Sequence, residues 1–233
     1  MSEYLMKITE ILTRIEEEEG EKMRRVSEMV ADTIEADGLI FVFGCGHSHL
    51  PGLDTFYRAG GLANVSAMLD TDLMLHNGAA KSSRMEKMPA IAPEIFRRYT
   101  PSKNDMIFIF SASGKNLVPA EMADAAKAVG IPSVGVSSSS YFGRGGILHE
   151  HVDIAIDCKI PYGDACIKVG DAMMGGLSTA AACFILNTCL IEGAKLALAE
   201  GKKPPVYISG NAEGGREHNI VLENLYLGRV KHL

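Results

Sequence analysis

Short runs of consecutive apolar residues set the frame for this chain. Leu39-Ile40-Phe41-Val42-Phe43 follows Gly38, and Met106-Ile107-Phe108-Ile109-Phe110 follows the turn Pro101-Ser102-Lys103-Asn104-Asp105. A half-exposed strand alternates apolar and polar residues. A run without alternation fits a strand covered on both faces, as in a parallel sheet. Ser133-Val134-Gly135-Val136, Val152-Asp153-Ile154-Ala155-Ile156 and a weaker run over 63–68 bring the set to five. Helical stretches are predicted between and after them, over 49–60, 84–99, 117–129 and 171–200. Gly130 serves as a C-cap for the third, with Pro132 beyond it. Strands alternating with helices imply βαβ units. The expectation is an α/β fold with a doubly wound, mostly parallel five-stranded sheet flanked by helices. No linker divides residues 1–233, so one domain is expected: a helical extension over 1–37, a core over 38–200 and a C-terminal segment over 201–233.

The extension repeats apolar residues at helical spacing, first Leu5, Ile8, Leu12 and Ile15, then Met23, Val26, Val30 and Ile34. Gly20 reads as a break between two helices, and Glu16-Glu17-Glu18-Glu19 as a solvated helix end. The apolar stripe must be covered, which points to a homodimer or homotetramer with these helices in the interface.

Charge excludes several partners. The net charge is −6, with 23 basic against 29 acidic residues and no basic block, so a non-specific nucleic-acid surface is not expected. The segment 172–191 is long and apolar but carries Gly175, Gly176, Ser178, Thr179, Asn187 and Thr188; it reads as a buried central helix rather than a membrane span. The polar start Met1-Ser2-Glu3-Tyr4 reads against a secretory leader. Cys45, Cys158, Cys166, Cys183 and Cys189 are odd in number and lack C-x-x-C spacing, which suits a reducing, cytoplasmic setting.

Two buried strands run into loops of small and hydroxyl residues that lead to helices: Gly44-Cys45-Gly46-His47-Ser48 and Ser111-Ala112-Ser113-Gly114-Lys115-Asn116. Small residues let backbone N–H groups approach an anion at a helix N-terminus, and hydroxyls add donors without bulk. Neither loop is a dinucleotide fingerprint or a P-loop, because the third glycine and the Gly-Lys-Ser/Thr are missing. In an open α/β sheet both loops can face one pocket beyond the strand ends. His47, His49 and His76 lack companion carboxylates or cysteines at metal-ligand spacing, so neither a metal nor any other cofactor is expected. His149 and His151 read as surface or turn residues, and Cys45 as a packing thiol.

The pattern Gly44-x-Gly46-x-Ser48 with Ser111-x-Ser113-Gly114-x-Asn116 resembles the SIS (sugar isomerase) domain family. Phe43–His49, Phe56–Gly61, Leu75–Ser82 and Asn211–Asn219 extend the likeness to a stand-alone subfamily similar to phosphoheptose isomerase. The resemblance implies a flavodoxin-like fold, a phosphorylated-sugar ligand and aldose–ketose isomerisation, with sugar-phosphate lyase or deglycase chemistry, or a non-catalytic sensor, as alternatives. It implies a ligand site on Gly44, Gly46, His47, Ser48, Ser111, Ser113 and Asn116, near a subunit boundary. Phosphoheptose isomerases carry a catalytic glutamate ten residues after the loop serine; here that position is Arg58, and Asn116 replaces the usual Ser or Thr. Glu86, just past the polar loop 76–83, and Glu217-His218, in the glycine-rich late segment, are the candidates for the missing base. A neutral imidazole near pH 7 suits His218 to proton transfer. Arg58, Lys81 and Arg216 are candidate cation partners for phosphate or carboxylate, with an Asp54 salt bridge as the plainer role for Arg58.

Overall fold

The computed structural model describes residues 1–233. The elements are α1 (Glu3–Glu35), β1 (Ile40–Gly44), α2 (Leu50–Thr55), β2 (Val65–Met68), α3 (Ala79–Met85), α4 (Ile91–Arg98), β3 (Met106–Phe110), α5 (Leu117–Ala128), β4 (Ser133–Ser137), α6 (Leu148–His151), β5 (Ile154–Asp157), β6 (Ala165–Val169), β7 (Ala172–Gly176), α7 (Ser178–Ala199) and α8 (Gly215–Tyr226).

The five apolar runs form one parallel sheet in the order β2-β1-β3-β4-β5. The sheet faces two separate cores, which alternate side chains of β1 and β3 enter in turn. Ile40, Val42, Phe108, Phe110, Val134 and Val136 pack against α1 and α7. Phe41, Phe43, Ile107 and Ile109 pack against α4 and α5, with Leu222 and Tyr226 of α8 beside them. Both faces are covered, which is why the runs lack polar alternation. After β1 the chain builds β2 on one side, then returns to lay β3 on the other. The topological switch point therefore lies between β1 and β3. In their register Gly44 pairs with Phe110, so the two small-residue loops leave the sheet side by side.

Several local expectations are corrected. Gly20 does not break the extension: α1 is one helix of 33 residues, capped by Ser2, whose Oγ accepts the Leu5 N–H. A single helical glycine costs about 1 kcal/mol relative to alanine. Burial of Ile15, Met23, Val26, Val30 and Ile34 along α7 outweighs it. The apolar stripe of α1 is thus covered within the chain from Ile11 to Ile34, while Tyr4, Leu5 and Met6 at its start stay exposed. Nor are the four glutamates a uniformly solvated end. Glu19 is only 4% exposed and pairs with Lys22 at 2.6 Å and Lys159 at 2.7 Å. Lys159 also reaches Glu18 at 2.9 Å and Asp157 at 3.3 Å, tying α1 to the end of β5.

The helix expected over 84–99 is two. Pro89 pushes Met88 away from helical geometry, Ala90 turns left-handed at φ 64°, and Glu121 Oε2 accepts the Ala90 N–H at 2.9 Å. The helix expected over 49–60 stops at Thr55. The helix expected from 171 begins only at Ser178; before it stands the antiparallel hairpin β6–β7, in which Val169 pairs with Ala172. Its two-residue turn is Gly170-Asp171, with Gly170 at φ 60°. α7 is long and apolar enough to cross a membrane, yet it lies along α1 with Ile185, Leu186 and Cys189 fully buried.

Candidate active site

The loop after β1 needs its glycines. A Cβ on Gly44 would stand 2.0 Å from the Ser48 carbonyl oxygen, and Gly46 holds φ 57°. The Ser48 N–H donates to Cys45 O at 2.9 Å, and the His49 Nδ1–H closes the turn on the Gly46 carbonyl. His49 is buried, which pushes its imidazole below the usual range and keeps it neutral. Its ring lies 6.0 Å from that of His76, and nowhere do three His, Cys, Asp or Glu side chains gather as a metal set would. Cys45 is deeply buried, and desolvation drives its thiol far up, so it is no nucleophile at neutral pH.

The loop after β3 is built to present donors. Gly114 takes φ 61°, and its N–H donates to Ser111 O at 2.9 Å. The N–H groups of Ala112, Ser113 and Asn116 find no acceptor within the protein. Asn116 stands at the N-cap of α5 without capping it, and lies near Glu86. An uncapped helix start beside outward N–H groups is a site for an anion.

A third loop, after β4, completes the rim. Ser137-Ser138-Ser139-Ser140 lies against the second loop, with the Ser138 N–H on Ala112 O at 2.9 Å. Ser138 is fully buried and donates its Oγ–H to Ile160 O at 2.6 Å. The N-terminus of α7 arrives from the other side, where Asp164 accepts the Ser178 N–H at 2.8 Å and the Ser178 Oγ–H at 2.7 Å. His47, Ser48, Ser111, Ala112, Ser178 and Thr179 line one cleft between the two loops and α7. Sequence reasoning missed Ser137–Ser140 and Ser178-Thr179. Four consecutive serines beyond an apolar run were the available signal for the first. The second depends on where α7 crosses the sheet, which only packing decides.

The candidate bases separate. Glu86 follows α3 directly, its carbonyl accepts the Val118 N–H at 3.3 Å, and its carboxyl is half-buried beside Asn116. Burial pushes that carboxyl above its ordinary value, and the Lys87 charge and then the Asn116 amide partly offset this. Its charge also raises Cys45, which places it beside the first loop as well as the second. Glu217 and His218 are elsewhere. His218 on α8 donates Nε2–H to Val206 O at 2.9 Å, and Val206 bridges Leu62 just ahead of β2. Within one chain they sit at the amino edge of the sheet, opposite the loops. Arg58 holds the Asp54 carboxylate and, at 2.9 Å, its carbonyl. Lys81 pairs with Asp72 at 2.9 Å. Neither points a free cation into the cleft.

The sequence is 39% identical over 242 residues to a UPF0309 protein of Caldanaerobacter subterraneus subsp. tengcongensis, covering 99% of this chain and 98% of that one. A UPF0309 protein of Thermoanaerobacter pseudethanolicus is 38% identical, with 99% of each chain covered. In fold, the chain is similar to phosphoheptose isomerase from Neisseria gonorrhoeae, with TM-score 0.56 and 14% identity over 81% of this chain and 94% of that one. The SIS domain model matches residues 3–138, which include both glycine- and serine-rich loops, and the chain belongs to the SIS domain family.

Proposed function

We propose that this protein binds a phosphorylated sugar at the carboxyl edge of its sheet and isomerises it between aldose and ketose. The observation that carries the reading is the arrangement of the Ser111–Asn116 loop. The N–H groups of Ala112, Ser113 and Asn116 have no acceptor in the protein, Ser111 and Ala112 line a narrow cleft with His47, Ser48, Ser178 and Thr179, and the half-buried carboxyl of Glu86 lies near Asn116. The phosphate sits on the Ala112–Asn116 donors with Ser111 and Ser113. Ser48, His47 and Thr179 hold the sugar hydroxyls.

Isomerisation moves a proton between adjacent carbons through an enediol. The carboxylate of Glu86 removes the proton from the carbon next to the carbonyl and returns it to the former carbonyl carbon. The raised affinity of Glu86 for a proton makes it a stronger base than an ordinary glutamate. A donor at the carbonyl oxygen supports the developing oxyanion; hydroxyls of the cleft fill that role. Arg58, tied to Asp54 in the place of the phosphoheptose isomerase glutamate, favours a second reading, a sugar-phosphate sensor without turnover.

A cytoplasmic setting, suited to five unpaired cysteines, belongs to the reading. So does assembly into a homodimer or homotetramer. With most of α1 covered, the exposed apolar side chains Ile191 and Leu198 of α7, Ile220, Val221 and Leu225 of α8, and Ile208 between these helices supply contact beside Leu5 and Met6 at the start of α1. Such assembly is the route by which Glu217 and His218 would approach another copy's cleft.

The test is a thermal-shift screen of sugar monophosphates on the wild type and Ser113→Ala. A ligand at 100 times its Kd adds about 2.7 kcal/mol, a clear rise in Tm. The reading expects a shift that Ser113→Ala reduces. No shift with any sugar phosphate contradicts it.

A further inference from the structure

We infer that the site carries a second anion-binding position, formed by Lys115 and Arg144 over the paired rings of Tyr141 and Tyr162, so that the ligand is a sugar phosphate bearing a second anionic group. The inference rests on the proposed phosphate position and extends it.

Four residues from three loops meet beside the Ser111–Asn116 donors. Lys115 Nζ lies 5.4 Å from the Tyr141 ring centroid and 5.6 Å from that of Tyr162. The Arg144 guanidinium lies 5.0 Å from the Tyr162 centroid, so both cations flank one ring. Of the cations the sequence offered for the ligand, Arg58 is held by Asp54 and Lys81 by Asp72. Lys115 and Arg144 have no carboxylate within 4.0 Å. Ring faces attract cations but leave their hydrogen-bond donors free. Two like charges held close together are relieved by an anion between them.

The platform is joined to the phosphate loop. The Tyr141 and Tyr162 rings are 4.9 Å apart, and the Tyr141 hydroxyl accepts the Gly163 N–H at 2.9 Å. Tyr141 O accepts the Arg144 N–H at 2.9 Å, which folds the arginine's backbone back over the rings. Ile147 N–H then donates to Gly114 O at 2.8 Å, in the residue before Lys115. A Cβ on Gly146 would stand 2.9 Å from Ser113 O, so this turn is seated against the loop that presents the first anion's donors. The shared chemistry is an anionic oxygen cluster, either phosphate or carboxylate. Guanidinium takes both in bidentate fashion, and ammonium takes both as a point charge.

Titration calorimetry on the wild-type chain decides it, with fructose 6-phosphate as the singly substituted probe, fructose 1,6-bisphosphate for a second phosphate, and 6-phosphogluconate for a carboxylate. At least one doubly anionic probe should bind about tenfold or more tightly than fructose 6-phosphate, the scale of one charge-assisted contact. Which of the two wins assigns the second group. Lys115→Gln with Arg144→Gln should bring that ratio close to one, while Tyr162→Leu, which keeps both charges, should lower it less. Equal affinities in the wild type, or a ratio that survives the double substitution, overturn the second position and leave the first intact. No binding of any probe overturns both. Ser113→Ala separates the two positions, because it weakens all three ligands and leaves their ratio in place.

Discussion

At the carboxyl edge of the sheet, the connections after β1, β3 and β4 are short, glycine-dependent and rich in hydroxyls, and several of their N–H groups point at nothing in the protein. At the amino edge, the connections spend their donors on each other. Gly60 N–H goes to Tyr207 O and Ala63 N–H to Pro205 O, both at 2.7 Å, and Tyr207 N–H returns to Gly61 O at 2.9 Å. Both edges hold a glutamate that could act as a base: Glu86 at the first, Glu217 beside His218 at the second. The difference is one of position in the topology rather than residue type, and it is the ground on which Glu86 is proposed over Glu217. Parallel strands aim all their free ends one way, and the crevice opens where the winding reverses. Backbone groups left over at that edge can serve a ligand, whereas those at the other edge are consumed in closing the fold.

The comparison is sharpest in turnover. Glu86→Gln should lower kcat by about 10²–10⁴, the usual weight of a positioned acid–base group. Glu217→Gln should lower it far less, because only a neighbouring copy could bring that residue to a cleft. A large loss from Glu217→Gln with Glu86 dispensable would reverse the assignment. Glu86→Gln should also raise Tm at neutral pH. Burial raises the folded-state affinity of Glu86 for its proton, so its contribution to stability is full below the unfolded value and lost as pH rises through the folded one. Glutamine escapes that loss, and the Tm advantage should vanish in acid. For the same reason the acid limb of activity should lie above the ordinary glutamate value of about 4.5.

Next in size is the ion cluster that fastens α1 below the carboxyl edge. Lys159→Met leaves Glu19 buried with Lys22 alone, and should destabilise the fold by about 3 kcal/mol in urea unfolding. Ser113→Ala should weaken a sugar phosphate by about 1.5–3 kcal/mol in titration calorimetry. The smallest effect belongs to the amino edge. His218→Asn, which loses one half-exposed hydrogen bond to Val206, should cost about 1 kcal/mol or less in Tm-derived stability.

The sheet could be read from the sequence because burial on both faces removes polar alternation, a signal each strand carries by itself. The two loops could be read because close approach demands glycine at Gly44 and left-handed backbone at Gly46 and Gly114. What escaped depends on partners distant in sequence. Glu19 looks solvated until Lys159 is folded beneath it. The α1 stripe calls for a cover without saying that α7 provides it. Glu217 and His218 look suited to the site until α8 is seen to start beside Val206 at the far edge. Two omissions had local signals: Gly170-Asp171 between short apolar segments marks a hairpin, and Pro89 marks the end of α3.

The central claim is that Glu86, near Asn116 and the proposed phosphate donors, moves a substrate proton. The most direct measurement is deuterium uptake from heavy water at the carbon next to the carbonyl, followed by NMR on a sugar phosphate found to bind. The wild type should introduce the label, and Glu86→Gln should bind the same ligand without introducing it. Label introduced equally by the variant, or binding by the wild type with no label at all, would contradict the account.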